Sequence, residues 1–106
     1  MKNGKLVRDK IPDIIRANGE DPNVVILTDE EYCIAIDDKL IEEAIEVRGA
    51  TSDREKIEEL ADLDELVDAR LKTLGMTRED LANAKKEKAH KRGAFTAKYF
   101  LISDDE

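Results

Sequence analysis

Two long segments of the chain place apolar residues at the three- and four-residue spacing of an α-helix. The first set is Cys33, Ile36, Leu40, Ala44 and Val47, and the second is Ile57, Leu60, Leu63, Val67, Leu71 and Leu74. At about 100° per residue, each set falls on one side of its helix. The pattern therefore predicts two amphipathic helices that bury these faces as a core.

Capping residues indicate where the helices begin. Thr28 precedes Glu31 by three positions, and Thr77 precedes Asp80 in the same way. A hydroxyl at the N-cap and a carboxylate three residues later satisfy each other's backbone N–H groups. Ser52 or the residue after it caps the helix between these two.

Glycines indicate where the helices end. A short helix around Pro12 stops at Asn18-Gly19. The first of the three longer helices should run over about 29–48, and the second from 52 or 53 to 74. The third should follow Thr77 and run through about 91. The three helices stop at Gly49, Gly75 and Gly93.

Two further segments have the composition of short strands. Residues 24–27 (VVIL) and 98–102 (KYFLI) are β-branched or aromatic runs, and they predict two strands that pair with each other. We therefore expect a mainly α fold, a helical bundle of about four helices with a small two-stranded β-element. It should form a single domain over residues 1–106, with an acidic tail at 103–106 that frays.

Length and charge narrow the class of protein. A chain of 106 residues has room for one hydrophobic core. Its net charge of −8 disfavours binding to a nucleic-acid polymer, which needs clustered Lys and Arg. With one cysteine, Cys33, no intrachain disulfide is possible, which fits a reducing compartment. Without an apolar run long enough to span a membrane, a cytoplasmic protein is expected.

Two pairs of carboxylates flank the predicted core faces. With Leu40 as zero, Glu43 lies at about −60° and Glu46 at about −120° on the first long helix. On the second, with Leu60 as zero, Glu59 lies at about −100° and Asp62 at about −160°. A short loop joins the helices and favours antiparallel packing, so the pairs can face each other.

Four converging carboxylates favour a hard divalent cation, because without one they would repel one another. Mg²⁺ takes oxygen ligands, and four carboxylates could hold one ion or two. The ordinary alternative is a solvated acidic helix face, since glutamate is a good helix former and 26 of the residues are acidic.

Basic residues cluster at the end of the last predicted helix. Lys88, Lys91 and Arg92 belong to this patch, which could hold phosphates or could simply stabilise a helix C-terminus. His90 lies among them and is expected to be exposed. Asp64 falls inside an apolar stripe, so it should either be paired or lie where the core opens, and Lys5, Arg8 and Lys10 are the candidate partners.

Three motifs in order resemble a known superfamily. Glu42-Glu43-x-x-Glu46, followed after twelve residues by Glu59-x-x-Asp62, looks like the signature of the MazG-like, all-α nucleotide pyrophosphohydrolases. The opening LVRDKIP at residues 6–12 and the closing KRGAF at 91–95 resemble its phosphoribosyl-ATP pyrophosphohydrolase-like branch. The chain departs from that branch at Ala94, where glycine is usual, and at Asp64, where an apolar residue is usual.

The resemblance implies a Mg²⁺ enzyme, with Mn²⁺ as a substitute, that cleaves a nucleoside triphosphate or related nucleotide to the monophosphate and pyrophosphate. It implies metal ligands at Glu43, Glu46, Glu59 and Asp62. Glu42 would be a supporting carboxylate or the base that activates water. Glu42 and Glu43 would be the catalytic residues. Lys88, Lys91 and Arg92 would bind the substrate phosphates.

The resemblance also implies a homodimer or homotetramer and a nucleotide substrate, with house-cleaning of non-canonical nucleotides as one role. Phosphoribosyl-ATP hydrolysis in histidine synthesis is the enzymatic alternative. An acidic helical interaction protein is the non-enzymatic one.

Overall fold

The computed structural model describes residues 4–102 and is mainly helical. Its helices are α1 (Ile11–Ala17), α2 (Asp29–Gly49), α3 (Asp53–Thr73) and α4 (Arg78–Arg92). These bounds confirm the mainly α prediction and agree with the capping signals to within a residue or two. The acidic tail expected to fray at 103–106 lies outside the described residues.

The predicted capping residues form the expected hydrogen bonds. The Thr28 hydroxyl accepts from the Glu31 backbone N–H at 3.1 Å, and the Glu31 carboxylate accepts from the Thr28 N–H at 3.0 Å. Thr77 and Asp80 make the same reciprocal pair at the start of α4. Ser52 caps α3 by accepting from the backbone N–H of Glu55. Local side-chain chemistry therefore sets where the three long helices begin.

Helices α2 and α3 form an antiparallel hairpin. Arg70 of α3 donates to both carboxylate oxygens of Asp37 of α2, at 2.9 and 3.2 Å. Near the connecting turn, the Lys56 ammonium donates to the backbone carbonyl of Val47. Contacts that advance along α2 while they recede along α3 require opposite helix directions. This packing brings the middles of the two helices together, where the acidic residues lie.

The core of the described residues is small. Ala35, Ile36 and Leu71 are buried, and Ile36 is fully inaccessible to solvent. Several of the predicted core positions are half-buried, namely Cys33, Leu40, Val47, Leu63 and Val67.

The predicted core faces are too wide, and this part of the prediction is wrong. Ala44 is exposed, and Ile57, Leu60 and Leu74 keep 63%, 42% and 55% of their surface accessible. A single neighbouring helix covers only part of a helix's circumference. An apolar stripe about 120° wide therefore extends beyond what the hairpin can bury.

Neither predicted strand is formed within residues 4–102. Val25 is 77% and Ile26 is 100% exposed, so the first apolar run packs against little. In the second run, Lys98 has a φ of 63°, in the left-handed region, which is incompatible with a regular strand there.

The chain divides into two compact units, with the division between Gly75 and Met76 in the sequence. The first contains α1 and the α2–α3 hairpin, and the second contains α4. The single-domain expectation stays a prediction. Among the described helices, each is too short or too polar to cross a lipid bilayer.

Candidate metal centre

Three carboxylates from α2 and α3 converge in the middle of the hairpin. Glu43 on α2 and the pair Glu59 and Asp62 on α3 each offer one oxygen atom, and these atoms lie within 4.8 Å of one another. Glu59 and Asp62 are three residues apart, so they project from one side of α3. Antiparallel packing places Glu43 opposite them, as the helix positions predicted.

Glu43 has one carboxylate oxygen that is removed from solvent. It is half-buried, and its Oε2 atom is inaccessible to solvent and lacks a hydrogen-bond partner among the described residues. Desolvation is the main cause that raises the pKa of Glu43, and the negative charge of Asp62 raises it further. A buried, unpartnered carboxylate oxygen is unfavourable as an anion unless a cation or donor approaches it.

The charges of the cluster act on Glu59 as well. Desolvation raises the pKa of Glu59, followed by the charges of Glu43, Glu46 and Asp62. The carboxylates thus lie close enough to disfavour one another's ionised forms, which is the electrostatic strain that a cation would relieve.

Glu46, the fourth predicted ligand, lies beside the cluster. It is exposed, and its charge contributes to the raised pKa of both Glu43 and Glu59. It is outside the set of three whose oxygens lie within 4.8 Å of one another. Its role as a ligand stays a prediction.

Glu42, the predicted base or supporting carboxylate, lies outside the group of three and pairs with a cation on its own helix. Its Oε1 atom accepts from the Lys39 ammonium at 3.5 Å, and its side chain is 57% exposed. Its charge nevertheless contributes to the raised pKa of Glu43.

An acidic cleft of about 260 Å³ adjoins the cluster at the α2–α3 turn. Its lining residues are Glu46, Gly49, Ala50, Glu55, Glu58 and Glu59. Glu59 belongs to both the cleft and the cluster. The cleft therefore gives solutes access to one side of the carboxylates.

Sequence reasoning missed the closest cation of the site. Arg8 Nη2 lies 2.5 Å from Oδ1 of Asp62, so Arg8 pairs with a cluster carboxylate. Arg8 was a candidate partner for Asp64, which is exposed in the structure rather than enclosed by the apolar stripe. The motif at residues 6–12 was a signal for this segment, but no helical periodicity links it to α3.

The predicted phosphate ligands Lys88, Lys91 and Arg92 lie on α4 in the second unit. All three are exposed, and Lys91 pairs with Glu87 at 3.4 Å. His90 is exposed as expected. Phosphate binding by these residues stays a prediction.

The donor set fits a hard divalent ion. It is made of carboxylate oxygens alone, as Mg²⁺ prefers, and one of its residues, Glu43, has a buried oxygen without a partner among the described residues. Glu43, Glu59 and Asp62 are therefore the residues that would hold such an ion.

Comparisons with known proteins leave the family open. The chain is 52% identical over 46 residues to an uncharacterized protein of Mycolicibacterium smegmatis, and the match covers 43% of this chain. The matched stretch spans about half of that relative, at 47% of its length. No protein-family profile and no solved structure matches the chain.

Proposed function

We propose that this chain is a Mg²⁺-dependent nucleotide pyrophosphohydrolase that converts a nucleoside triphosphate, or a related nucleotide, to the monophosphate and pyrophosphate. One observation carries the proposal. Oxygens of Glu43, Glu59 and Asp62 lie within 4.8 Å of one another, and Glu43 has a buried oxygen without a partner. Carboxylates in this arrangement suit a Mg²⁺ ion that also binds substrate phosphates.

Different residues of the chain would have different roles in this reaction. Glu43, Glu59 and Asp62 would hold the ion, with Glu46 at its edge. A bound divalent ion neutralises phosphate charge and lowers the pKa of water. Glu42 would accept the proton as a water oxygen bonds to phosphorus and the anhydride bond between the α- and β-phosphates breaks. Lys88, Lys91 and Arg92 would hold the phosphates.

The finer fold prediction belongs to the same proposal. An all-α NTP pyrophosphatase-like bundle with a two-stranded β-element, assembled as a homodimer or homotetramer in the cytoplasm, would be the working enzyme. Mn²⁺ would substitute for Mg²⁺, because it also accepts carboxylate oxygens and water.

The direct test is the release of pyrophosphate from phosphoribosyl-ATP and from a panel of canonical and modified dNTPs, with and without Mg²⁺, with the nucleotide product identified. We expect monophosphate and pyrophosphate in equal amounts, and only with the metal. If phosphoribosyl-ATP is the one substrate turned over, histidine synthesis becomes the function. If no substrate is turned over and the melting temperature does not respond to Mg²⁺, the interaction protein is favoured instead.

Variants of the cluster test the site. Glu43→Gln and Asp62→Asn keep side-chain size but remove a charged ligand, and we expect each to lower kcat/KM on the order of 100-fold. Glu65→Gln is the matched control, because it removes the same charge from an exposed position on α3. Full activity of both cluster variants, with the fold retained, would refute the proposed site.

A further inference from the structure

Arg8 places a positive charge directly on one carboxylate of the cluster. Its Nη2 atom lies 2.5 Å from Oδ1 of Asp62, and the side chains are 58% and 39% exposed. The two residues are 54 positions apart in the chain. The pair therefore forms because the segment before α1 lies against α3.

The backbone holds Arg8 in place independently of this ion pair. The Arg8 carbonyl accepts from the N–H of Ile11 at 3.1 Å, which ties the segment to the first turn of α1. Leu6 and Val7 just before it are half-buried. A change confined to the guanidinium should therefore leave the segment where it is.

A divalent ion and the Arg8 guanidinium cannot both occupy the same face of Asp62. Two cations at the short distance that shared coordination of one carboxylate requires would repel each other. Binding of the ion to Asp62 should therefore weaken or break the Arg8–Asp62 pair, and the pair should in turn oppose binding of the ion.

A displaced guanidinium would have a natural anion to bind. Its planar fork of N–H groups matches the oxygens of a phosphate, and the side chain already reaches solvent beside the cluster. A polyphosphate held by the metal would bring negative charge to that place.

We propose that Arg8 is the internal counter-cation of the carboxylate cluster and that it transfers from Asp62 to a substrate phosphate when the metal and nucleotide bind. This inference rests on the proposed function, since it assumes that the cluster binds a divalent ion. It adds a phosphate-binding residue that lies beside the carboxylate cluster itself.

The alternative is that Arg8 only stabilises Asp62 or the N-terminal segment. Loss of a purely structural contact would lower the affinity of the site for the metal and for the phosphate ligand together. The proposed role predicts opposite signs instead: without Arg8 the metal alone should bind more tightly, and the phosphate ligand should bind less tightly.

The test compares Arg8→Met with the wild-type protein. Binding of Mn²⁺ without nucleotide is followed by electron paramagnetic resonance of the free ion, and binding of inorganic pyrophosphate at saturating Mg²⁺ by calorimetry. Arg16→Met is the matched control, because Arg16 is similarly exposed and pairs with a single aspartate, Asp13, at 3.0 Å. Methionine keeps the apolar stem of arginine and removes its charge.

We expect Arg8→Met to bind Mn²⁺ roughly two- to fivefold more tightly, the range that breaking an exposed ion pair allows, and to bind pyrophosphate more weakly, with Arg16→Met unchanged in both. Weaker binding of both ligands, or unchanged Mn²⁺ affinity, would overturn the inference while leaving a metal-dependent enzyme possible. Tighter Mn²⁺ with unchanged pyrophosphate binding would overturn the transfer to phosphate. Absence of Mn²⁺ binding in all three proteins would overturn the proposed function together with the inference.

Discussion

The carboxylates of Glu43 and Glu59 work against the stability of the metal-free hairpin. Burial and neighbouring negative charge raise the pKa of both residues in the folded protein. A raised pKa means that the folded state binds protons more readily than the unfolded state does. The contribution of these two residues to the free energy of unfolding is therefore most favourable at acidic pH, below the ordinary glutamate pKa. It is lost as the pH rises through the raised values.

Removal of one of these charges should stabilise the metal-free protein. We expect Glu59→Gln to raise the melting temperature at pH 7.5 in the presence of a chelator, because repulsion from Glu43, Glu46 and Asp62 disappears. Glu65→Gln, at an exposed position on the same helix, should change it little. A lower melting temperature for Glu59→Gln would show that the cluster does not carry the electrostatic strain inferred here.

The same shifts predict how the response to Mg²⁺ depends on pH. An ion that binds the folded cluster raises the melting temperature. It must compete with protons held by Glu43 and Glu59, whose raised pKa values favour the protonated forms at acidic pH. We expect differential scanning fluorimetry with millimolar Mg²⁺ to show a larger increase in melting temperature at pH 7.5 than at pH 5. An equal shift at both pH values would argue for binding elsewhere.

At the scale of elements, local signals in the sequence predicted the helices well and the strands poorly. The capping pairs at Thr28 and Thr77 form between residues three positions apart, so the local sequence is enough to predict them. A strand exists only if it pairs with another segment. Residues 24–27 therefore have the composition of a strand without forming one in the described structure.

The site shows the same division between local and long-range information. Glu59 and Asp62 share a side of α3 because of helical spacing, which the sequence contains. The closeness of Glu43 follows once the hairpin is antiparallel. The Arg8–Asp62 pair depends on how the segment before α1 lies against α3, which no periodicity encodes.

The cap of α2 can be tested by its contribution to stability. Thr28→Ala removes the hydroxyl that accepts from the Glu31 N–H, and we expect it to lower the free energy of unfolding by about 1 kcal/mol in urea. Thr28→Ser retains the hydroxyl and should cost much less. If alanine and serine were equally destabilising, the loss would come from the methyl group rather than from the cap.

At the scale of the whole molecule, the described residues leave an apolar stripe of α2 without cover. Ile34, Ile41 and Ile45 recur at helical spacing, and 51%, 65% and 54% of their surface is exposed. The buried core of the described residues, by contrast, consists of Ala35, Ile36 and Leu71. An α2–α3 hairpin with so few buried side chains gains little from the hydrophobic effect by itself. This imbalance supports the proposed homo-oligomer, in which copies would bury the stripe against one another.

A charge in the middle of the stripe should therefore separate the copies. We expect wild-type protein to sediment as a dimer or tetramer and Ile41→Lys to shift toward monomer, because an isologous contact would place two lysines close together across a two-fold axis. Val25→Lys is the matched control, since Val25 is 77% exposed and lies outside the stripe.

If Ile41→Lys dissociates the assembly and also lowers kcat, the carboxylates on the same helix depend on assembly for their positions. If it dissociates the assembly but keeps full activity, each hairpin is a complete site. A wild-type protein that is monomeric at micromolar concentration would contradict the proposed assembly, and the exposed stripe would then need another partner.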